Sequence, residues 1–371
     1  MNRRYRVAGV FAAAAAVAAV AAGCGASAPG SSADATAPKS GSALVLDGQT
    51  VASAKLVAAA RKEKTLTLYT AMSTKSVTSD TETFTKDTGV KVNIVYLAGN
   101  ELNQRILTEL QAHKLGADVI QQTNYSLVSS DAKQGVFKPY CFSTLSDIPA
   151  QYKQSDCSFF ADQLNISVPA YNTQVVKASQ VPTTWQDILK SAWNGQIGMA
   201  DTGESSLYGL PYFWRKSFGI SYWNSLAGQD IHFYDTGQAA QDAVNTGQLK
   251  MLFVPVNVSL PAEQSGAPIQ VVVPTDGVLS FGFYSGLASE AKHPAAGELY
   301  LQWLASKAGQ TEAAVIGNWP AMNGMPGPKF AGKQLPTLAQ LKPVLAEKQP
   351  DYTTLRSSWL PAWQKQMKIS S

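Results

Sequence analysis

The spacing of apolar positions changes repeatedly along the chain between the periods of a strand and of a helix. Short runs rich in β-branched and aromatic residues predict strands, at 65–69, 90–96, 117–120, 164–171, 197–200, 250–254, 269–273 and 279–284. Longer segments with helical spacing or helix-forming composition predict helices, at 51–64, 80–88, from Asn100, from Thr184, from Ser205, at 298–305 and at 337–342. Strands that alternate with helices predict an α/β fold with mostly parallel sheets flanked by helices.

Local signals mark several helix ends. Gly89 is typical of a left-handed helix stop. Asn100 is expected to cap a helix, and Thr184 and Asp187 have the spacing of a capping box.

The start of the chain has the pattern of an export signal. Arg3, Arg4 and Arg6 precede 16 uncharged residues at 7–22. This stretch is shorter than the roughly 20 apolar residues of a membrane-spanning helix, so we interpret residues 1–23 as a signal peptide.

Residues 21–24, Ala-Ala-Gly-Cys, resemble the lipobox of bacterial lipoproteins. The resemblance implies that Cys24 is di- or triacylated, which meets the need for more than one chain in stable anchoring. Residues 24–42 would then be the lipidated cysteine and a flexible tether, and the protein would be exported and held on the outer face of the cell membrane. The alternative is an ordinary signal peptide with Cys24 incidental.

Charge and cysteine content fit an exported protein. Loss of residues 1–23 removes three of the 30 basic residues and none of the 26 acidic ones, which leaves a net charge of +1. This balance gives no support to a nucleic-acid partner. Cys141 and Cys157 are predicted to pair as a disulfide in an oxidising compartment, with two free thiols as the alternative.

Several segments in order resemble one family of transport proteins. They include LTLYTAMS at 66–73, GADVIQQ at 116–122, VPTTWQDILKSAWNGQIGMADTGESS at 181–206 and KHPAAGELYLQWLASKAGQ at 292–310. The chain resembles ABC-importer substrate-binding proteins of the ferric-iron-binding type, a group that also binds thiamine, phosphonates and other small solutes. The resemblance covers most of residues 51–325.

The resemblance implies a two-lobed, type II periplasmic-binding-protein-like fold with two hinge crossings. Lobe I is expected at 43–167 plus 280–325, lobe II at 168–279, and a C-terminal helical segment at 326–371. The implied function is capture of a small polar, anionic organic solute in the cleft by hinge closure. Delivery to the transmembrane permease subunits of an ABC importer with a cytoplasmic ATPase would follow. A monomer is expected.

The resemblance also implies where the solute binds. Ser205 and Ser206 match the family's anion-binding turn at a helix start, and the alternative for Ser205 is a simple N-cap. Thr70 and Ser73 follow the first strand, and Thr123 with Asn124 follows a later one; the alternative there is a plain turn.

Two further candidates are Tyr208 and Asn257, each with a structural role as its alternative. Tyr171, Tyr212 and Trp214 are weaker aromatic candidates, and Asp276 is expected to form a turn.

Iron-binding relatives hold the metal with adjacent tyrosines, but the corresponding stretch 253–258 contains none. Because Fe(III) prefers anionic oxygen ligands, we predict no metal site of that kind and no cofactor.

Other functions stay open. The sequence has no Gly-x-Ser-x-Gly, His-Glu-x-x-His, phosphate-loop or dinucleotide motif, so we expect no enzyme. The alternatives are a ligand-binding sensor without transport, an iron protein with a non-tyrosine site, and a membrane-anchored enzyme.

Overall fold

The computed structural model describes residues 41–97, 99–201 and 208–369. The predicted signal, Cys24, the tether up to residue 40, and Ser205 with Ser206 lie outside the described residues. None of the helices in the described part is long and apolar enough to span a membrane.

The strands and helices alternate as predicted. The strands are β1 (Leu44–Leu46), β2 (Gln49–Ala52), β3 (Thr65–Thr70), β4 (Lys91–Tyr96), β5 (Val119–Gln122), β6 (Phe160–Asn172), β7 (Ile197–Ala200), β8 (His232–Tyr234), β9 (Met251–Pro255), β10 (Ile269–Val271), β11 (Val278–Leu287), β12 (Trp319–Pro320), β13 (Lys329–Phe330), β14 (Lys333–Gln334) and β15 (Pro343–Leu345). The helices are α1 (Ala54–Glu63), α2 (Thr74–Thr88), α3 (Gly99–Gln111), α4 (Tyr125–Lys133), α5 (Leu210–Phe218), α6 (Ile220–Ala227), α7 (Gly237–Asn245), α8 (Val256–Gln264), α9 (Pro294–Leu304), α10 (Lys307–Val315), α11 (Leu338–Leu341) and α12 (Tyr352–Met367).

Most strands join one continuous sheet with the order β4-β3-β5-β11-β6-β9-β7-β8. β3 pairs in parallel with β4 and β5, and β7 pairs in parallel with β8 and β9. β6 and β11 lie between these two sets and pair antiparallel with each other. The predicted α/β architecture is confirmed: two parallel sets, one in each lobe, are joined by two crossing strands.

Several predicted helix boundaries were wrong for local reasons. Residues 51–52 belong to β2, and α1 starts after Ser53, whose side chain accepts from the Leu56 N–H. α2 begins at Thr74, six residues before the prediction, and ends at Gly89 in the left-handed region as expected. Asn100 lies inside α3 and does not cap it.

The capping box at Thr184 forms, but no α-helix follows it. The Thr184 N–H donates to the Asp187 carboxylate, and the Asp187 N–H donates back to the Thr184 hydroxyl. The chain then makes only 3₁₀ turns, at 186–189 and 191–193. Trp185 is fully buried and bonds the Asp276 carboxylate and the Gly277 carbonyl. These tertiary contacts outweigh the local helix signal.

Two hydrophobic clusters form the core. The first is mainly aliphatic and follows the sheet of lobe I, both crossing strands and helices α7 and α8. The second lies in lobe II and is rich in rings, including Trp185, Trp214, Trp223 and Trp363. The candidate aromatics Tyr212 and Trp214 are both buried in this second cluster.

The C-terminal segment adds a strand to the sheet and a helix that packs on helices of lobe II. β15 pairs in parallel with β11, from Val278 beside Pro343 to Ser280 beside Leu345. α12 then packs on α5 and α6, where the Arg215 guanidinium lies 4.8 Å from the Trp223 ring and 4.0 Å from the Trp359 ring.

Cys141 and Cys157 form the predicted disulfide, with Cα atoms 5.3 Å apart. The bond closes a loop whose 3₁₀ turns, at 143–147 and 150–152, pack beside lobe I.

Candidate functional site

The strand register directs the carboxyl ends of both parallel sets toward the middle of β6. β5 ends with Gln122 beside Tyr284 of β11, which in turn pairs with Ala161 of β6. β9 runs against β6 and ends with Pro255 beside Ser167. The five residues between Ala161 and Ser167 therefore separate the strand ends of the two lobes. Open α/β sheets bind ligands beyond the carboxyl ends of their strands.

Three helices begin at these strand ends. α2 follows β3 with Ser73 as its N-cap, and α4 follows β5 with Asn124 as its N-cap. α8 follows β9 directly, with Pro255 at the cap position and no side-chain cap bond. Helix starts favour negative charge because their first N–H groups lack helical partners and the dipole is positive there.

Ser73 and Asn124 have capping roles in the structure. The Ser73 hydroxyl accepts from the Ser76 N–H at 3.4 Å, and the Asn124 amide oxygen accepts from the Leu127 N–H at 3.2 Å. Both caps hold the helix starts in place at the strand ends. Thr123 is half-buried between β5 and this cap. Contact of all three with a ligand stays a prediction.

Thr70 is fully buried at the end of β3. Its hydroxyl donates to the Gln121 amide oxygen at 2.8 Å and accepts from the Met72 N–H at 3.0 Å. Thr70 therefore shapes the loop after β3, and any effect on a ligand would act through that loop.

Asn257 lies where the two lobes meet. Its side-chain oxygen accepts from the Asn165 amide of β6 at 3.2 Å. On the other side, a Cβ added at Gly317 would lie only 2.9 Å from the Cα of Asn257. Only glycine lets the turn after α10 approach the start of α8 this closely.

A pocket of about 150 Å³ lies between α2 of lobe I and α8 of lobe II. We call it the α2–α8 pocket. Its polar lining comes from Lys75, Ser76 and Ser79 on α2 and from Asn257 and Gln264 on α8. Lys75 is exposed in the first turn of α2 and brings a positive charge to the helix start. The lysine, the Ser76 hydroxyl and the two amides suit a small anion, whereas the Ser79 hydroxyl donates to the Glu312 carboxylate.

The structure separates Tyr208 from this pocket. The Tyr208 ring lies 3.9 Å from the Arg356 guanidinium of α12, in a different groove formed with Tyr212 and Trp359. Of the predicted residues that the structure describes, Asn257 lines the α2–α8 pocket and Ser73 caps the helix that forms one wall of it.

Two other candidates have structural partners. The Asp276 carboxylate accepts from the Trp185 N–H at 3.0 and 3.1 Å, in line with the expected turn role. Within the described ranges, no group of three or more His, Cys, Asp or Glu side chains is arranged to hold a metal ion.

The sequence matches a family model described as "Bacterial extracellular solute-binding protein" over residues 81–339, more than half of the 371 residues. The chain belongs to this family. The family assigns the protein the role of substrate-binding protein of an ABC transporter. Such proteins act outside the cytoplasm, where they bind small solutes for a permease, and the family is not one of enzymes.

Among curated relatives, the chain is 22% identical over 278 residues to an Fe(3+)-binding periplasmic protein of Serratia marcescens. This alignment covers 68% of the chain and 77% of the relative. Iron uptake protein A1 of Synechocystis sp. is 24% identical over 184 residues, which is 44% of the chain and 49% of that relative.

Solved structures share the fold at low identity. Iron-bound HitA from Pseudomonas aeruginosa has a TM-score of 0.64 and 19% identity, covering 82% of the chain and 99% of HitA. AfuA from Actinobacillus pleuropneumoniae, with fructose-6-phosphate bound, has a TM-score of 0.61 and 18% identity, covering 83% of the chain and all of AfuA. These similarities confirm the predicted two-lobed fold.

Sequence reasoning missed part of the α2–α8 pocket. Lys75 and Gln264 stand in polar stretches with no signal beyond their nearness to Ser73 and Asn257. Gly317 was also missed, although a glycine between a helix-forming stretch and a strand-forming stretch is a usual sign of a tight turn.

Proposed function

We propose that this solute-binding protein captures a small organic anion in the cleft between its lobes, with the anionic group at the α2–α8 pocket. The observation that carries the proposal is the position of Lys75 at the start of α2, opposite the start of α8. Two helix starts and one ammonium group favour a negative charge there. Ser205 and Ser206 are proposed as further contacts.

The residues at the strand ends favour an anion over iron. The stretch Phe253–Val258 at the start of α8 offers the amide of Asn257 and no tyrosine. At the end of β5, Gln121 and Gln122 stand where an acid is expected in an iron protein, and both are buried. Neutral amides and a lysine are poor ligands for Fe(III). Gln121 and Gln122 already donate to Asp162 and Asp131. Lys75 and the Asn257 amide are therefore the groups that we expect to donate to phosphate or carboxylate oxygens. A phosphate-bearing solute, as in AfuA, fits this lining better than the bare metal.

The proposed mechanism is reversible capture by closure of the two lobes. β6 and β11 connect the lobes, so a change at their middle moves one helix start relative to the other. A bound anion would draw the starts of α2 and α8 together because it interacts with both. The permease would then receive the closed form.

We further propose that Cys24 carries the lipid anchor and that residues 24–42 tether the folded part to the membrane. The sequence from Arg3 to Cys24 supports this role. Labelling of cells with radioactive palmitate tests it: the protein should be labelled and Cys24→Ala should not. Equal labelling of both would contradict the anchor.

A thermal-shift panel tests the solute class. The panel should include sugar phosphates, phosphonates, thiamine compounds, polyamines and Fe(III). A solute present at 100 times its Kd adds about 2.7 kcal/mol to the free energy of unfolding. We expect a phosphate- or carboxylate-bearing solute to stabilise the protein. Stabilisation by Fe(III) or a polyamine alone would contradict the proposal.

A further inference from the structure

Two aspartates lie buried side by side where α2 meets the crossing strand β6. Asp80 of α2 and Asp162 of β6 are each 1% exposed. The side-chain Nε2 of Gln163 donates to Asp80 Oδ2 at 3.1 Å and to Asp162 Oδ2 at 3.3 Å. Because one amide nitrogen reaches both carboxylates, the two groups are close neighbours.

Neighbouring amides hold this pair in a fixed arrangement. Asn318 donates to the Gln163 side-chain oxygen at 2.6 Å, which directs the Gln163 nitrogen toward the carboxylates. Gln121 donates to Asp162 Oδ2 at 2.8 Å and accepts from Thr70. The pair is thus connected to the loop after β3, on the cleft side of lobe I.

The surroundings of the pair contain one further carboxylate and two hydroxyl groups. Glu312 of α10 lies near Asp80 and accepts from the Ser79 hydroxyl at 2.6 Å. The Tyr300 hydroxyl of α9 is fully buried, lies close enough to both carboxylates for their charges to raise its pKa, and has no hydrogen-bond partner among the residues that the structure describes. On the β11 side, the Ser285 hydroxyl lies 3.4 Å from Asp162 Oδ1. Within the described ranges, no lysine, arginine or histidine forms an ion pair with Asp80 or Asp162.

Electrostatics disfavour two negative charges at this place. Like charges a few ångströms apart repel strongly where water is excluded. Burial raises the pKa of Asp162 to about 7. Burial, with the charge of Asp162 next in importance, raises the pKa of Asp80 well above its usual value.

We propose that Asp80 and Asp162 hold at least one proton between them in the folded protein at neutral pH, and that loss of a proton from this pair loosens the packing of α2 on the crossing strand β6 beside the cleft. The pair would make the hinge region sensitive to the pH outside the cell. The inference concerns the solute-free protein and does not depend on which solute binds.

The sign of the pH effect follows from the raised pKa values. In the unfolded chain an aspartate ionises near pH 3.9. A folded-state pKa near 7 means that the folded protein retains a proton that the unfolded chain has lost. The contribution to stability is therefore complete below about pH 4 and is lost as the pH rises toward 7. Each retained proton makes the unfolding equilibrium constant rise by up to about tenfold per pH unit in this window.

Urea unfolding of the solute-free protein between pH 4 and 8 tests the stability effect. Asp162→Asn should flatten the pH dependence between about pH 5 and 7, since it removes one of the two charges. Asp131→Asn is the matched control. Asp131 is also buried and accepts a hydrogen bond from a glutamine, Gln122, but its raised pKa comes from burial and not from a neighbouring carboxylate. Its pKa is raised to about 6, so its proton is half lost at pH 6, and this variant should flatten the dependence mainly below that pH while leaving most of the dependence between pH 6 and 8. Identical profiles for the wild type and Asp162→Asn would overturn the proposal.

Carboxyl ¹³C titration of the wild-type protein needs no variant. At least one of the two aspartates should titrate with an apparent midpoint above pH 6. If both ionise near pH 4, the pair holds no proton at neutral pH and the proposal fails.

Amide hydrogen exchange tests the structural consequence. After correction for intrinsic rates, the backbone amides of 162–166 should exchange at least about tenfold faster at pH 8 than at pH 6 in the wild type, if the strand opens locally. Asp80→Asn should remove most of that difference. Equal protection at both pH values in the wild type would contradict the loosening.

Discussion

The two hydrophobic clusters differ in what fills them. In lobe II, Trp214 lies 5.5 Å from the Trp185 ring, 5.1 Å from Phe253 and 5.8 Å from Trp363. On the lobe I side, the core has a larger aliphatic share and also contains a buried polar network that includes Asp80 and Asp162; rings contact each other there too, as Phe84 and Tyr300 do at 4.9 Å. Large rings in contact fix relative positions over a wide area, whereas a polar network changes when its protonation changes. From this difference we expect ring packing to hold lobe II together and the protonation of the buried aspartates to affect the crossing region.

Removal of a central ring should give the largest effect. Trp214→Ala empties a site with 0% exposure and should lower the free energy of unfolding by about 3–5 kcal/mol. Urea unfolding measures the change. Trp214→Phe keeps much of the side-chain volume and should lower the free energy of unfolding by less. A loss below about 1 kcal/mol for the alanine variant would mean that the ring cluster does not hold lobe II together.

Removal of the disulfide tests the stability of the lobe I side. The double variant Cys141→Ser and Cys157→Ser opens a loop with a sequence separation of 16 and should cost about 3 kcal/mol in the chain-entropy view. The wild type under reducing conditions is the matched comparison and should lose a similar amount. Unchanged stability in both cases would show that the 3₁₀ turns hold this loop without the bond.

A change at Gly317 probes the contact between the lobes. Gly317 has a φ of +89°, and an added Cβ would lie 2.9 Å from the Asn257 Cα. Gly317→Ala should cost about 1–3 kcal/mol through strain and overpacking. Gly324→Ala is the control, because Gly324 also has a positive φ but nothing within 4 Å of the added Cβ. Equal losses would assign the effect to the backbone alone.

Weakening the contact of α12 with α5 and α6 should give the smallest loss of stability. Arg215→Met removes the cation between Trp223 and Trp359 and should cost about 1–2 kcal/mol. Arg215→Lys keeps the charge without the planar group and should lose less. Urea unfolding checks both. If Arg215→Met leaves the free energy of unfolding unchanged, the rings hold α12 without the guanidinium.

The sequence predicted the alternation of elements because strands and helices differ in the spacing of apolar residues. Contacts between residues far apart in the sequence could not be predicted. Nothing local indicates that Pro343–Leu345 adds a strand to β11, or that Glu347 accepts hydrogen bonds from the Gly282 N–H and the Tyr284 hydroxyl.

The placement of several candidate residues at strand ends could be predicted, but their side-chain contacts could not. Chain order placed Ser73, Asn124 and Asn257 at strand ends, where they lie. The buried position of Thr70 and the stacking of Tyr208 on Arg356 depend on side chains 51 and 148 positions away. No pattern within either segment carries that information.

The proposal that an anion binds at the α2–α8 pocket is tested most directly by calorimetric titration with the strongest anionic solute of the panel. Lys75→Met should weaken binding by about tenfold or more, corresponding to the loss of one charge-assisted hydrogen bond of ~1.5–3 kcal/mol. Lys62→Met, at an exposed lysine of α1, should bind as the wild type does. Raised salt should reduce the difference between Lys75→Met and the wild type. If Lys75→Met binds the anion as tightly as Lys62→Met, the solute does not bind at this pocket and the account is wrong.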